Sequence, residues 1–191
     1  MRRTTLPSSA VEGNATSVQE ILRGVAPRET IASNTSSMNL TGEFRVDAPR
    51  DAVFDKLADP AFFASCFNGV SGLVETGAGR YDALFETTVA YMTFWFKLRV
   101  EMVRLDRPDA IETRIEGAPT GMVGRLSATS VTQLSDDGTG TRIHYAIESV
   151  LAGRLGSLGQ PVLKAKARDM ERQFVERLRA AFAPAASAEP T

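Results

Sequence analysis

Reactive and metal-binding side chains are scarce in this sequence. One cysteine, Cys66, and one histidine, His144, stand among 191 residues. A lone thiol cannot close an intrachain disulfide or build a thiolate metal site, and a lone imidazole cannot form a multi-histidine centre. So few cysteines fit a reducing compartment, the cytoplasm. No apolar run approaches the roughly 20 residues that span a bilayer as a helix, and the N-terminal stretch lacks the apolar segment of a secretory signal. The formal net charge is -1. No cationic excess draws the chain to nucleic acid, which is therefore not an expected partner.

What is present is alternation. From Asn39 to Asp47, Leu40, Gly42, Phe44 and Val46 alternate with Glu43 and Arg45, as in a half-buried strand. Asp47 is expected to cap a helix carrying Pro49 in its first turn, with Val53, Phe54 and Leu57 on its buried face. Asp59-Pro60 ends that helix and starts a shorter one with Phe62, Phe63, Cys66 and Phe67. Six further strands follow as a meander: Val70 to Glu75, Arg80 to Ala90, Phe94 to Asp106, Ala110 to Gly117, Val123 to Ser135 and Thr141 to Ala152. The turns fall at Gly77-Ala78-Gly79, Arg107-Pro108-Asp109 and Asp136 to Gly140.

After Gly153 the period changes to that of one long amphipathic helix with Leu163, Ala167, Met170, Phe174, Leu178 and Phe182 on one face. Strands first and a dominant helix last is the order of an α+β helix-grip fold. Such a fold is a curved antiparallel sheet of about seven strands wrapped around a C-terminal helix, with two short helices after the first strand. Residues 38–182 are assigned to this ligand-binding domain, 1–37 to a mobile N-terminal arm and 183–191 to a disordered tail. Within the arm, Ser17 to Val25 has a short helical pattern, and Met38 stands directly before the first strand.

In this order the chain resembles the carbon monoxide dehydrogenase G-subunit family, within the START-like, polyketide-cyclase-like helix-grip superfamily. The resemblance rests on Leu40-Thr41-Gly42-Glu43-Phe44, Ala48-Pro49-Arg50, Leu57-Ala58-Asp59-Pro60, Cys66-Phe67-Asn68-Gly69-Val70 and Gly153-Arg154-Leu155-Gly156-Ser157-Leu158-Gly159. It implies a non-enzymatic accessory protein of a molybdenum-containing dehydrogenase, linking that enzyme to the membrane and its quinone pool. The chain departs from the family where Asn68 replaces a proline and Val70 a second cysteine. The turn between the third and fourth strands is also short, at Tyr91-Met92-Thr93-Phe94, and lacks the family's Gly-Pro.

Parity of the strands defines the site. Phe44, Phe63, Phe67, Phe85, Phe96, Met102, Tyr145, Met170 and Phe174 converge on the concave face and are the expected ligand-binding residues. They suit an apolar flat molecule, a quinone or lipid held without a covalent bond, or else they fill one another as core. Thr87, Thr113, Ser130, Thr132, Ser149 and the Tyr145 hydroxyl offer polar contacts, of which only Tyr145 is carried forward as a ligand contact. No catalytic or metal site is expected, because parity turns His144, Glu148, Arg142, Glu86 and Glu101 outward. Two alternatives stay open: a cyclase or dehydratase acting on an apolar substrate in the same cavity, and a structural adaptor without ligand. Three further features invite contacts. They are the loop Gly117 to Gly124 as a flap, the tip Tyr91 to Phe96, and the basic face of the last helix (Arg154, Lys164, Lys166, Arg168, Arg172, Arg177 and Arg179). Tip and basic face suit peripheral attachment at the inner face of the membrane.

Overall fold

A computed structural model describes residues 35–183. The Ser17 to Val25 pattern, the rest of the arm up to residue 34, and residues 184–191 lie outside the described residues. Among the described residues seven strands form one sheet: β1 (Thr35–Val46), β2 (Val70–Gly77), β3 (Arg80–Val89), β4 (Met92–Asp106), β5 (Ala110–Pro119), β6 (Gly124–Asp137) and β7 (Gly140–Gly153). Their spatial order is β1-β7-β6-β5-β4-β3-β2, and every pairing is antiparallel. The meander from β2 to β7 thus follows chain order, and β1 closes the far edge beside β7. β1 starts earlier than its alternation suggests: Thr35 pairs with Ala152, so Met38 is an interior strand residue, not one preceding the strand.

The inward positions agree with parity. Across one row of the sheet Leu40, Ile147, Ser130, Thr113 and Met102 are paired in register, and the next row carries Gly42, Tyr145, Thr132 and Ile111. Charges occupy the outer face, where Asp82, Arg99 and Glu116 stand in one row with alternating sign.

Between β1 and β2 lie α1 (Arg50–Ala58) and α2 (Pro60–Ser65). Asp47 does not cap α1: its side chain pairs with Arg45 at 2.5 Å, and the cap residue is the extended Pro49, with no side-chain cap bond. Proline's fixed φ supplies the entry geometry instead, and the buried Thr141 hydroxyl donates to Ala48 O at 2.7 Å to hold the approach. Pro60 forces Asp59 into an extended conformation, which stops α1. The freed Asp59 carboxylate then accepts from Ala61 N at 2.9 Å and caps α2. After α2 the chain turns at Gly69, whose φ of +89° and 2.9 Å bond from Glu86 N leave no room for a side chain: a β-carbon would sit 2.0 Å from Glu86 O.

The last element, α3 (Gln160–Ala180), follows a single 3-10 turn at Gly156–Leu158. It joins two hydrophobic clusters at opposite ends of the sheet. Near its start Leu163 packs with Phe85, Val89, Phe94, Phe96, Leu151 and Leu155. Near its end Leu178, fully buried, packs with Val46, Val53, Phe54, Leu57, Ile111, Leu134 and Ile143. Burial of each such side chain contributes about 1.5–3 kcal/mol, so both ends of the helix are pinned. Ion pairs from Arg50 to Asp109 (2.7 Å) and Asp136 (3.3 Å) tie α1 to the β4–β5 and β6–β7 turns. These exposed pairs are worth about 0–1 kcal/mol each and orient α1 rather than hold it.

Candidate functional site

Pinned at both ends, α3 bridges the sheet from rim to rim. Its backbone comes nearest to β1 and β3, and it reaches the floor strands β4 to β6 through end side chains such as Leu163 and Leu178. The inward floor residues Thr113, Ile115, Ala128, Ser130, Thr132 and Ile147 are accordingly only half-buried, although Ile111, Leu134, Ile143 and Leu151 on the same face are buried. The middle of the inward face is therefore less covered than its two ends, a shallow hollow between the two clusters.

The nine expected contact residues divide between these ends. Phe44, Phe63, Phe67, Phe174 and Tyr145 form one aromatic group: Phe67 stacks on Phe174 at 5.5 Å, Phe63 lies 5.4 Å from Phe174, and Phe44 lies 6.4 Å from Phe174 and 6.3 Å from Tyr145. Met102 packs at the same end. Phe85 and Phe96, stacked at 6.3 Å, belong to the opposite cluster, where Met170 packs against them. They are buried, and Phe94, which sequence reasoning placed on the exposed tip, stacks on Phe96 at 6.2 Å. Both aromatic groups thus pack largely on themselves, one near each end of α3.

One pair escaped sequence reasoning. Tyr145 lies across β1, over Gly42, and its hydroxyl donates to the Glu171 carboxylate of α3. A β-carbon on Gly42 would stand 2.1 Å from the Tyr145 hydroxyl oxygen, which explains a glycine within an otherwise regular strand. Burial, then the Glu171 hydrogen bond, pushes the phenol pKa well above its usual value, so Tyr145 stays neutral. Its hydroxyl is thereby engaged at the seam between β1 and α3 instead of standing free for a ligand. A recess of about 330 Å³ opens at this seam beside Phe44, Arg168, Glu171 and Val175. The available clue was Glu171 itself, an acidic residue directly after Met170 on the apolar face of α3.

The opposite flank of α3 is clamped. Arg177 donates to Ser65 O and Asn68 Oδ1, and Asn68 Nδ2 donates to Gln173 Oε1 at 3.1 Å. This clamp buries Cys66 completely, and burial raises its thiol pKa against the lowering effect of Arg177. The outward assignments also agree with parity: Arg142 and His144 meet Glu43 at 2.7 and 3.3 Å, and Glu101 meets Arg80 at 3.2 Å. No group of three metal-ligating side chains occurs among the described residues.

Two expected contact features are smaller than the sequence suggested. The flap reduces to residues 120–123, because β5 runs on to Pro119 and Gly117 is buried within it. At the β3–β4 tip only Tyr91 and Trp95 face out, at 91% and 52% exposure, beside Val123 of the next loop at 91%. Phe94 and Phe96 turn inward with strand parity. On α3, Arg177 serves the clamp, Arg172 pairs with Asp169, and Arg179 donates to Arg45 O at 3.0 Å, leaving fewer basic groups to meet a surface. A groove of about 550 Å³ lies on the outer face of the sheet, bordered by Val74, Leu84, Lys97 and Arg125. It is separated from the hollow by the sheet itself. No helix among the described residues is long and apolar enough to cross a membrane.

Similar architectures occur among solved structures. A conserved protein from Geobacillus kaustophilus superposes with a TM-score of 0.71 at 20% identity, covering 76% of this chain and 95% of that one. The Zhui aromatase/cyclase from Streptomyces sp. R1128 gives 0.56 at 17% identity, covering 76% of this chain and 93% of that one. An uncharacterized protein from Rhizobium leguminosarum gives 0.58 at 14% identity, with 79% and 97% covered. At these identities the likeness is one of fold. No curated protein matches the chain. The model of the carbon monoxide dehydrogenase G-subunit (CoxG) family matches residues 42–183.

Proposed function

Because the chain belongs to the carbon monoxide dehydrogenase G-subunit (CoxG) family, we propose that it is a non-catalytic binding protein for an apolar small molecule, with a quinone as the leading candidate, held beneath α3. The observation that carries this reading is the half-buried floor under a helix that rests on the rims of the sheet. An apolar guest covering that floor gains roughly 25 cal/mol for each Å² removed from water, enough to offset its lost freedom without an ionic contact. The family supports the further proposal that the guest passes between a molybdenum-containing dehydrogenase and the membrane quinone pool. Tyr91, Trp95 and Val123, exposed together at one end of the sheet, suit a peripheral approach to the inner face of the membrane. The structural neighbours include a cyclase, but Glu171, the acid group of α3 that meets the inward face, is spent on Tyr145. That occupation favours binding over acid–base chemistry.

The test is native mass spectrometry and organic extraction of protein purified from its host, followed by titration with a prenyl quinone. A co-purifying quinone or lipid, or stoichiometric uptake of the added quinone, is the expected result. Protein that arrives empty and ignores the added quinone overturns the reading.

A further inference from the structure

The floor of the hollow carries three neighbouring hydroxyls. Thr113 on β5 is paired directly with Ser130 on β6, and Thr132 follows Ser130 on the same inward face. Directly opposite residues hold their β-carbons about 4.5–5.5 Å apart, and residues two apart along a strand are separated by about 6.5–7 Å. The three hydroxyls thus form a compact patch at the centre of the floor. All three residues are half-buried.

What these hydroxyls bond to separates them from their neighbours. Ser149 donates to Met38 O at 3.2 Å, Thr141 to Ala48 O, and Tyr145 to Glu171, so each of these is engaged by the protein. Thr113 has only a long contact to Met102 Sδ at 3.8 Å. Ser130 and Thr132 make no side-chain hydrogen bond among the described residues, nor are their oxygens sealed from solvent. A hydroxyl in an apolar hollow needs a partner, water or guest, because leaving it unpaired on burial costs about 1–3 kcal/mol.

Charge on this face points to the kind of guest. The inward positions of β4 to β7 hold no ionisable side chain apart from the neutral Tyr145 and, at the far end of β6, Asp136, which is paired with Arg50. An ionised guest would meet no counter-charge on the floor, and burying an unpaired carboxylate is strongly unfavourable. A neutral guest with an accepting oxygen would satisfy the patch at no such cost. Resting on the binding reading above, we propose that Ser130 and Thr132, supported by Thr113, are the specificity-determining anchor for an uncharged apolar ligand bearing a carbonyl oxygen. The oxygen-bearing end faces the β5–β6 floor, and the apolar body lies against Ile115, Ala128 and Ile147.

Three probes sharing one ring system test this: menadione, a neutral dione; methylnaphthalene, which has no oxygen; and naphthoate, an anion. Each is titrated calorimetrically into the full chain and into the S130A/T132V variant, with T113V as a milder second variant. The wild type is expected to bind menadione about tenfold tighter than methylnaphthalene and naphthoate weakest, the increment of one or two hydrogen bonds. In S130A/T132V menadione weakens about tenfold while methylnaphthalene holds, the latter also showing that the fold survives; T113V falls between. An unchanged menadione-to-methylnaphthalene ratio, or a wild type preferring naphthoate, overturns the anchor alone. Uptake of none of the three overturns the binding reading and the anchor with it.

Discussion

Gly42 offers the sharpest test of how the sheet and the final helix are joined. In a regular strand glycine is a poor choice, and replacing it with alanine ordinarily stabilises by about 0.5–1 kcal/mol. Gly42 is not among the residues with positive φ, so backbone strain does not forbid alanine there. The obstacle is Tyr145: a β-carbon would lie 2.1 Å from its oxygen, 2.5 Å from Cζ and 2.7 Å from Cε1. These are rigid ring atoms, and the whole side chain must swing away. That movement breaks the bond to Glu171, worth about 1.5–3 kcal/mol for a charged acceptor. It also disturbs the packing of Tyr145 on Phe44, with repacking of this kind costing about 1–3 kcal/mol. Gly42→Ala should therefore lose about 2–4 kcal/mol net in urea unfolding followed by far-UV circular dichroism. In a Tyr145→Ala background the same change should be neutral or slightly stabilising, so the double-mutant cycle carries nearly the whole effect as coupling. A Gly42→Ala protein as stable as the wild type, or an equal loss in both backgrounds, would refute the placement of Tyr145 over β1.

The raised pKa of Tyr145 carries a sign for alkaline stability. Since the folded value exceeds the unfolded one, the contribution is complete below about pH 10 and drains away as pH rises through the folded pKa. The urea midpoint should fall above about pH 10, and Tyr145→Phe should flatten that limb; identical limbs would contradict the assignment. At the other flank, Arg177→Ala removes two bonds that hold α2 and the following turn to α3. Labelling of Cys66 by Ellman's reagent under native conditions should quicken at least about tenfold, with global unfolding shifted far less. An unchanged labelling rate would mean that the clamp does not guard the thiol.

Local chemistry made much of this fold legible. Period-two alternation told inward Ile143, Tyr145 and Ile147 from outward Arg142, His144 and Glu148, because successive side chains in a strand must take opposite faces. The family assignment drawn from ordered short motifs agrees with the match over residues 42–183. Sequence was less informative wherever two arrangements of comparable local chemistry compete for one group. Asp47 has the composition of a helix cap, yet the nearby guanidinium of Arg45 takes its carboxylate. Phe94 belongs to an aromatic-rich tip by position, yet a two-residue turn at Ala90-Tyr91 fixes the register that sends it inward.

The residues alone thus determined the order of elements, the two faces of each strand and the apolar stripe of the last helix, since these follow from the repeat of the backbone. Only the tertiary structure decided which inward groups remain free. The Tyr145 hydroxyl is spent on Glu171, 26 residues along the chain, while Ser130 and Thr132 stay open because the helix meets the floor strands chiefly at its two ends, through Leu163 and Leu178, and leaves the middle less covered. Periodicity dictates where a side chain points; the curvature of the sheet and the height of the helix above it determine whether anything is there to meet it.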